Sequence, residues 1–172
     1  MTITRRSTPP ASAFLPDLAD AYYWDCYEAP FRRDDLAMHE IYLALFAHHP
    51  PLVKRLLGLR DRIVVPLGLR ASMAAEAENT EPKSAYVVGE KIARFTLLGQ
   101  NDTEIVTGGD DNHLDFRVSV QKSIEGGASR VVLSTAVMPH NFFGKAYLFV
   151  IRPFHRFGVR TLLSNAVKAG RI

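Results

Sequence analysis

Residues 114–138, LDFRVSVQKSIEGGASRVVLSTAVM, decide the fold. Leu114, Phe116, Val118 and Val120 alternate with Asp115, Arg117, Ser119 and Gln121. That period of two is the signature of a strand with one buried face. A second apolar run follows at 131–138, and Gly126-Gly127 lies between the two. Glycine pairs accept the positive φ angles of a two-residue hairpin turn. With that turn, Glu125 faces Ala128, and each later pair steps outward by one residue. Val120 then opposes Leu133, Val118 opposes Thr135, Phe116 opposes Val137 and Asp115 opposes Met138. His113 and His140 meet at the far end, because a one-residue slip would turn every apolar side chain to the wrong face.

Working outward, the same period appears upstream. Residues 94–100 and 103–107 read as strands, joined by the turn dipeptide Asn101-Asp102. Gly108-Gly109-Asp110-Asp111 reads as a further turn and lacks the pattern of a phosphate loop. Near the amino terminus, AYYWDCYE at 21–28 is aromatic-rich and reads as the first strand. Asp34 and Asp35 suit the N-cap and first turn of a helix that carries Leu36, Ile41, Leu43, Leu45 and Phe46 and stops at His48-His49-Pro50-Pro51. Apolar residues near helical spacing predict a second helix over 52–67. Residues 71–85 are small and polar, compatible with an Ala-rich helix or a loop. Residues 142–169 read as one long helix with Pro153 inside it, where the missing N–H should kink or break it. The order is strand, two helices, antiparallel strands, long helix. This is an α+β domain in which the last helix covers the apolar face of the sheet.

Composition narrows the class. The chain has 172 residues, 47% hydrophobic and 23% charged, which suits one globular domain. Residues 1–16 are rich in Pro, Ser and Thr and read as a flexible lead-in to a domain at 17–172. No apolar run reaches the length of a membrane span, and residues 1–10 lack the apolar core of a secretory signal. The single Cys26 forms no intrachain disulfide, so a cytoplasmic location is expected. The net charge of +3 hides an asymmetry. Residues 1–125 hold all 18 acidic groups and carry −4, whereas 126–172 hold seven bases and no acid.

Polar chemistry has one obvious place to gather. The hairpin register brings His113 and His140 together, with Asp110 and Asp111 in the preceding turn and Lys145 one turn into the last helix. Carboxylate beside imidazole suits general acid–base work, which makes Asp111, His113 and His140 the candidate catalytic groups. The plainer reading is a tight Asx turn with hydrogen-bonded histidines. No metal-ligand spacing is present, and no metal or cofactor is expected. On the last helix, Lys145, Arg152, Arg156 and Arg160 fall on one side, and Tyr147, Val150, Phe154 and Thr161 roughly opposite. A solvated basic face over a buried apolar face follows.

Two blocks carry a family resemblance: Gly109-Asp110-Asp111-Asn112-His113-Leu114-Asp115-Phe116-Arg117, and Gly144-Lys145-Ala146-Tyr147-Leu148 followed by Arg152-Pro153-Phe154-His155-Arg156. They resemble the signature of a bacterial family of unknown function in the START-like superfamily, which includes polyketide cyclases, aromatase-like proteins and lipid-transfer proteins. The resemblance spans roughly residues 20–165. It implies a helix-grip fold, a curved antiparallel sheet around the C-terminal helix, with an apolar ligand cavity between them. Phe116, Val118, Val137, Tyr147, Val150 and Phe154 would line that cavity, with Arg152 and His155 as polar ligand groups. The row His113, Asp115, Arg117 falls on the opposite face of the sheet and would serve solubility or a homodimer contact.

Three functions follow, in order. The first is binding of a small apolar or amphipathic ligand. The second is a cyclase- or dehydratase-like enzyme using Asp and His. The third is contact between the basic helix and an anionic surface such as a membrane. Nucleic acid is not expected, because no binding motif accompanies the charge.

Overall fold

The computed structural model describes residues 2–15, 20–48, 55, 58–59, 61–62 and 83–172. The hairpin predicted from residues 114–138 is its spine. It joins β6, Leu114–Glu125, to β7, Ala128–Pro139, in the predicted register, with Glu125 paired to Ala128 and Phe116 to Val137. Gly126 and Gly127 both take positive φ, 58° and 78°.

The sheet grows from both sides of this hairpin. β1 is Thr4–Arg5, β2 is Tyr23–Pro30, β3 is Lys91–Ile92, β4 is Phe95–Gln100 and β5 is Glu104–Asp110. The seven strands run β1-β2-β7-β6-β5-β4-β3, and every pair is antiparallel. With α1, Met38–Phe46, and α2, Phe142–Lys168, the architecture is α+β. No helix among the described residues is long and apolar enough to cross a membrane.

Several expectations change. Gly108, Gly109 and Asp110 belong to β5, not to a turn. The glycines leave room there for bulky partners: a Cβ on Gly109 would meet the Phe116 ring, and one on Gly108 would meet Arg117. The first helix begins later than Asp34 and Asp35. Ala37 is its N-cap, with its N–H donated to the Glu40 carboxylate at 2.7 Å, while Asp35 pairs with Arg33. Pro153 does not end α2, which continues to Lys168. Pro153 lies on the solvent side, where water can satisfy the carbonyl it frees. Of the helix expected at 52–67, Arg55, Gly58, Leu59, Asp61 and Arg62 are described, each helical, and the rest lies outside the described residues, as do residues 71–82.

α1 and α2 pack on one face of the sheet and build two apolar clusters. The larger joins Met38, Ile41, Tyr42 and Leu45 of α1 and Leu162, Leu163 and Ala166 of α2 to Tyr27, Leu133, Val120 and Ile105. The smaller holds Tyr23, Leu114, Val137 and Leu148, with Phe116, Tyr147 and Ile151 packed against it. The opposite face is not left to water along its whole length. Gln121 donates to the Ala11 carbonyl at 2.9 Å, and Glu104 accepts from Ser12 Oγ, the Ala13 N–H and Ser119 Oγ. The Phe14 ring lies where a Cβ on Gly99 would be. Residues 11–14 thus cover Ser119 and Gln121, which are buried.

Candidate functional site

The site is built on β2. Alternation along this strand turns Tyr23, Asp25 and Tyr27 toward the helices, and Trp24, Cys26 and Glu28 away. Pairing sets Tyr23 against Val137, Asp25 against Thr135 and Tyr27 against Leu133. Tyr23 joins the smaller apolar cluster and Tyr27 the larger, so Asp25 falls between them. Its side chain is 0% exposed. A carboxylate so placed needs partners. The Tyr23 hydroxyl donates to Asp25 Oδ2 at 2.6 Å, and His155 Nε2 lies 3.3 Å from Oδ1. Burial, then the adjacent carboxylate, pushes the Tyr23 phenol up to about 12, so it remains a neutral donor.

α2 supplies the remaining groups. Its first turn is fixed by Asn141, whose Oδ1 caps Gly144 N–H at 3.0 Å and whose Nδ2 reaches the Asn112 carbonyl and His113 Nδ1. Gly144 lies so close to the β5–β6 turn that a Cβ would run into the His113 carbonyl. This joint sets the rotation of α2, and the rotation brings His155 over the sheet. Its ring meets Tyr23 edge to face at 6.3 Å. Arg152 and Arg156 lie over the same ring, their Cζ atoms 4.8 and 6.0 Å from its centroid. Arg156 Nε is buried without a hydrogen-bond partner among the described residues.

The candidates read from the sequence divide into three groups. Arg152 and His155 are at this site, and Phe116, Val118, Val137 and Tyr147 pack on the same side of the sheet nearby. Val150 and Phe154 are not, being 60% and 47% exposed. Leu148, Ile151 and His155 face the sheet in their place, and the basic groups Arg152 and Arg156 tuck against Tyr23. α2 is therefore rotated away from the side that would bury Val150 and Phe154, while Tyr147 still packs toward the sheet. Periodicity does not select this rotation, because the residues on either side of the helix are equally apolar.

Asp111, His113 and His140 are near one another in the chain path but serve separate partners. Asp111 Oδ1 accepts the N–H of its neighbour Asn112 at 2.6 Å, within the turn. His113 holds Asn141, while His140 donates its N–H to the His113 carbonyl and pairs its ring with Asp115 at 3.0 Å. No three His, Cys, Asp or Glu among the described residues converge on a metal position. Cys26 is buried against Ser134, and burial pushes its thiol up, away from a reactive thiolate.

Asp25 and Tyr23 escaped the sequence reading. A signal was present, since Asp25 shares the buried face of an otherwise aromatic strand with Tyr23 and Tyr27. Such a charge needs a partner on whatever element covers it.

No curated protein and no solved structure matches the chain. A family model does match, over residues 18–162, a span that contains β2, the hairpin and most of α2. The chain therefore belongs to the DUF2867 family, described as a protein of unknown function.

Proposed function

We propose that this chain binds a small amphipathic molecule between the sheet and α2, in a START-like, helix-grip manner. Its polar head, an anion or strong hydrogen-bond acceptor, meets Arg152, Arg156 and His155. Its apolar part lies against Phe116, Val118, Val137 and Tyr147. The observation that carries this reading is the Asp25–Tyr23–His155 network, its carboxylate fully buried, set between two apolar clusters. A few convergent polar groups set among apolar walls are the usual makeup of a small-molecule site. Arg156 Nε, buried and without a hydrogen-bond partner among the described residues, supplies a donor for that head.

Native mass spectrometry of the purified chain, followed by denaturing extraction, tests it. The expected result is a stoichiometric adduct that leaves on denaturation and is lost in Arg156→Leu while the thermal melt is retained. A bare mass in every preparation, with no amphiphile retained on addition, would overturn it.

One observation favours a second reading, an acid–base enzyme of the cyclase or dehydratase kind. His155 is oriented through Nε2 by a buried carboxylate, which leaves Nδ1 to take or give a proton. In that case the bound molecule is turned over, and His155→Ala abolishes turnover while leaving binding within about tenfold.

A further inference from the structure

We propose that the outward face of α2 docks on an anionic lipid surface. A helix turning about 100° per residue places Phe142, Phe149, Val150, Pro153, Phe154 and Phe157 on one arc. This arc is opposite Leu148, Ile151 and Leu162, which meet the sheet. It is not covered: Phe142 and Phe149 are 77% and 78% exposed, and Phe143 is 65% exposed beside them. Tyr22, just before β2 and 64% exposed, extends the patch, with Lys145 Nζ 5.5 Å from its ring centroid. Isolated exposed apolar residues are ordinary, but a contiguous aromatic stripe of about four turns is not.

Charge identifies the occupant. Lys145, Arg152 and Arg156 lie along one flank of the stripe, Arg160 falls within its C-terminal end, and residues 126–172 contain no Asp or Glu. Arg152 and Arg156 are rooted on Tyr23, which holds their charge at the border of the apolar arc. A helix with bulky apolar residues on one side and bases at its edge sinks its rings to the level of the acyl chains and leaves the bases among the headgroups. A second copy of this chain fits less well. The helix it would present offers no carboxylate to these bases, so the flank would be desolvated without compensation.

Co-sedimentation of the full chain with vesicles of phosphatidylcholine, with and without phosphatidylglycerol, tests the proposal. Binding should require phosphatidylglycerol and weaken between about 0.1 and 1 M salt, as the screening length falls from ~10 to ~3 Å. Joint replacement Phe149→Glu and Phe157→Glu should weaken it by at least about tenfold with an unchanged thermal melt, since both side chains are exposed. Joint replacement Lys145→Glu and Arg160→Glu should remove the preference for phosphatidylglycerol. Absence of co-sedimentation, or equal binding by the phenylalanine variant, would overturn the proposal. So would a dimer that the phenylalanine variant breaks and vesicles do not compete with, since the face would then belong to a second copy.

Discussion

The molecule contains two carboxylate–histidine pairs, and they differ in what surrounds them. Asp115 and His140 close the open end of the β6–β7 hairpin, with side chains 26% and 44% exposed. Asp25 and His155 meet beneath α2 on β2, the second strand from one edge of the sheet, where the carboxylate is fully buried. At the end of the hairpin, backbone contacts give the structure its rigidity: the His140 N–H to the His113 carbonyl, the Asn141 cap, and Gly144 pressed on the turn. Beneath α2, the side chains themselves are the structure. A polar pair that water still reaches on its histidine side can be removed at less expense than one whose carboxylate is sealed in an apolar layer, where the partners are left stranded.

Substitutions along the two regions should sharpen that contrast, and the largest effect is expected at the joint. Gly144→Ala forces backbone apart where α2 meets the turn and should cost about 3 kcal/mol or more in urea unfolding. A loss under about 1 kcal/mol would mean that this joint does not position α2.

Asp25→Ala comes next. It strands the Tyr23 hydroxyl and deprives His155 of its acceptor, for about 2–3 kcal/mol. Tyr23→Phe removes one of the two bonds and should cost about 1.5 kcal/mol.

Alkaline pH probes the same group. Tyr23 is raised to about 12 in the folded protein, against roughly 10 when unfolded. Its contribution is therefore complete below about pH 10 and fades as pH rises through 12. Stability measured across that window should decline, and less steeply in Tyr23→Phe. Tyr42 and Tyr27, also raised by burial, would account for what remains.

The smallest effect belongs to the half-exposed pair at the end of the hairpin. His140→Ala should change stability by under about 1 kcal/mol, since the imidazole is 44% exposed and water can take its place beside Asp115. A loss as large as that of Asp25→Ala would erase the distinction between the two regions.

The same contrast explains what could be read from sequence. The hairpin was legible because its register is local: two glycines fix the turn, and every partner from Glu125–Ala128 to Leu114–Pro139 follows by counting. The meeting of Asp25 with His155 is not local. It depends on β2 lying beside β7, more than 100 residues later in the chain, and on the rotation of α2. Periodicity could not supply that rotation, because α2 is apolar on both sides: Leu148 and Ile151 toward the sheet, Phe149 and Val150 toward solvent. The clasp of Gly144 on His113, visible only in three dimensions, selects between them. Arg152 and His155 were reached through their sequence block, but Tyr23 and Asp25, which hold them, were not.

Fluorescence titration with a dansyl-labelled long-chain carboxylate tests the binding site most directly. One saturable site is expected, weakened at least about tenfold by Arg156→Leu and unaffected by Phe149→Glu on the outward face of α2. No saturable binding, or binding lost in Phe149→Glu but intact in Arg156→Leu, would contradict a site between the sheet and the helix.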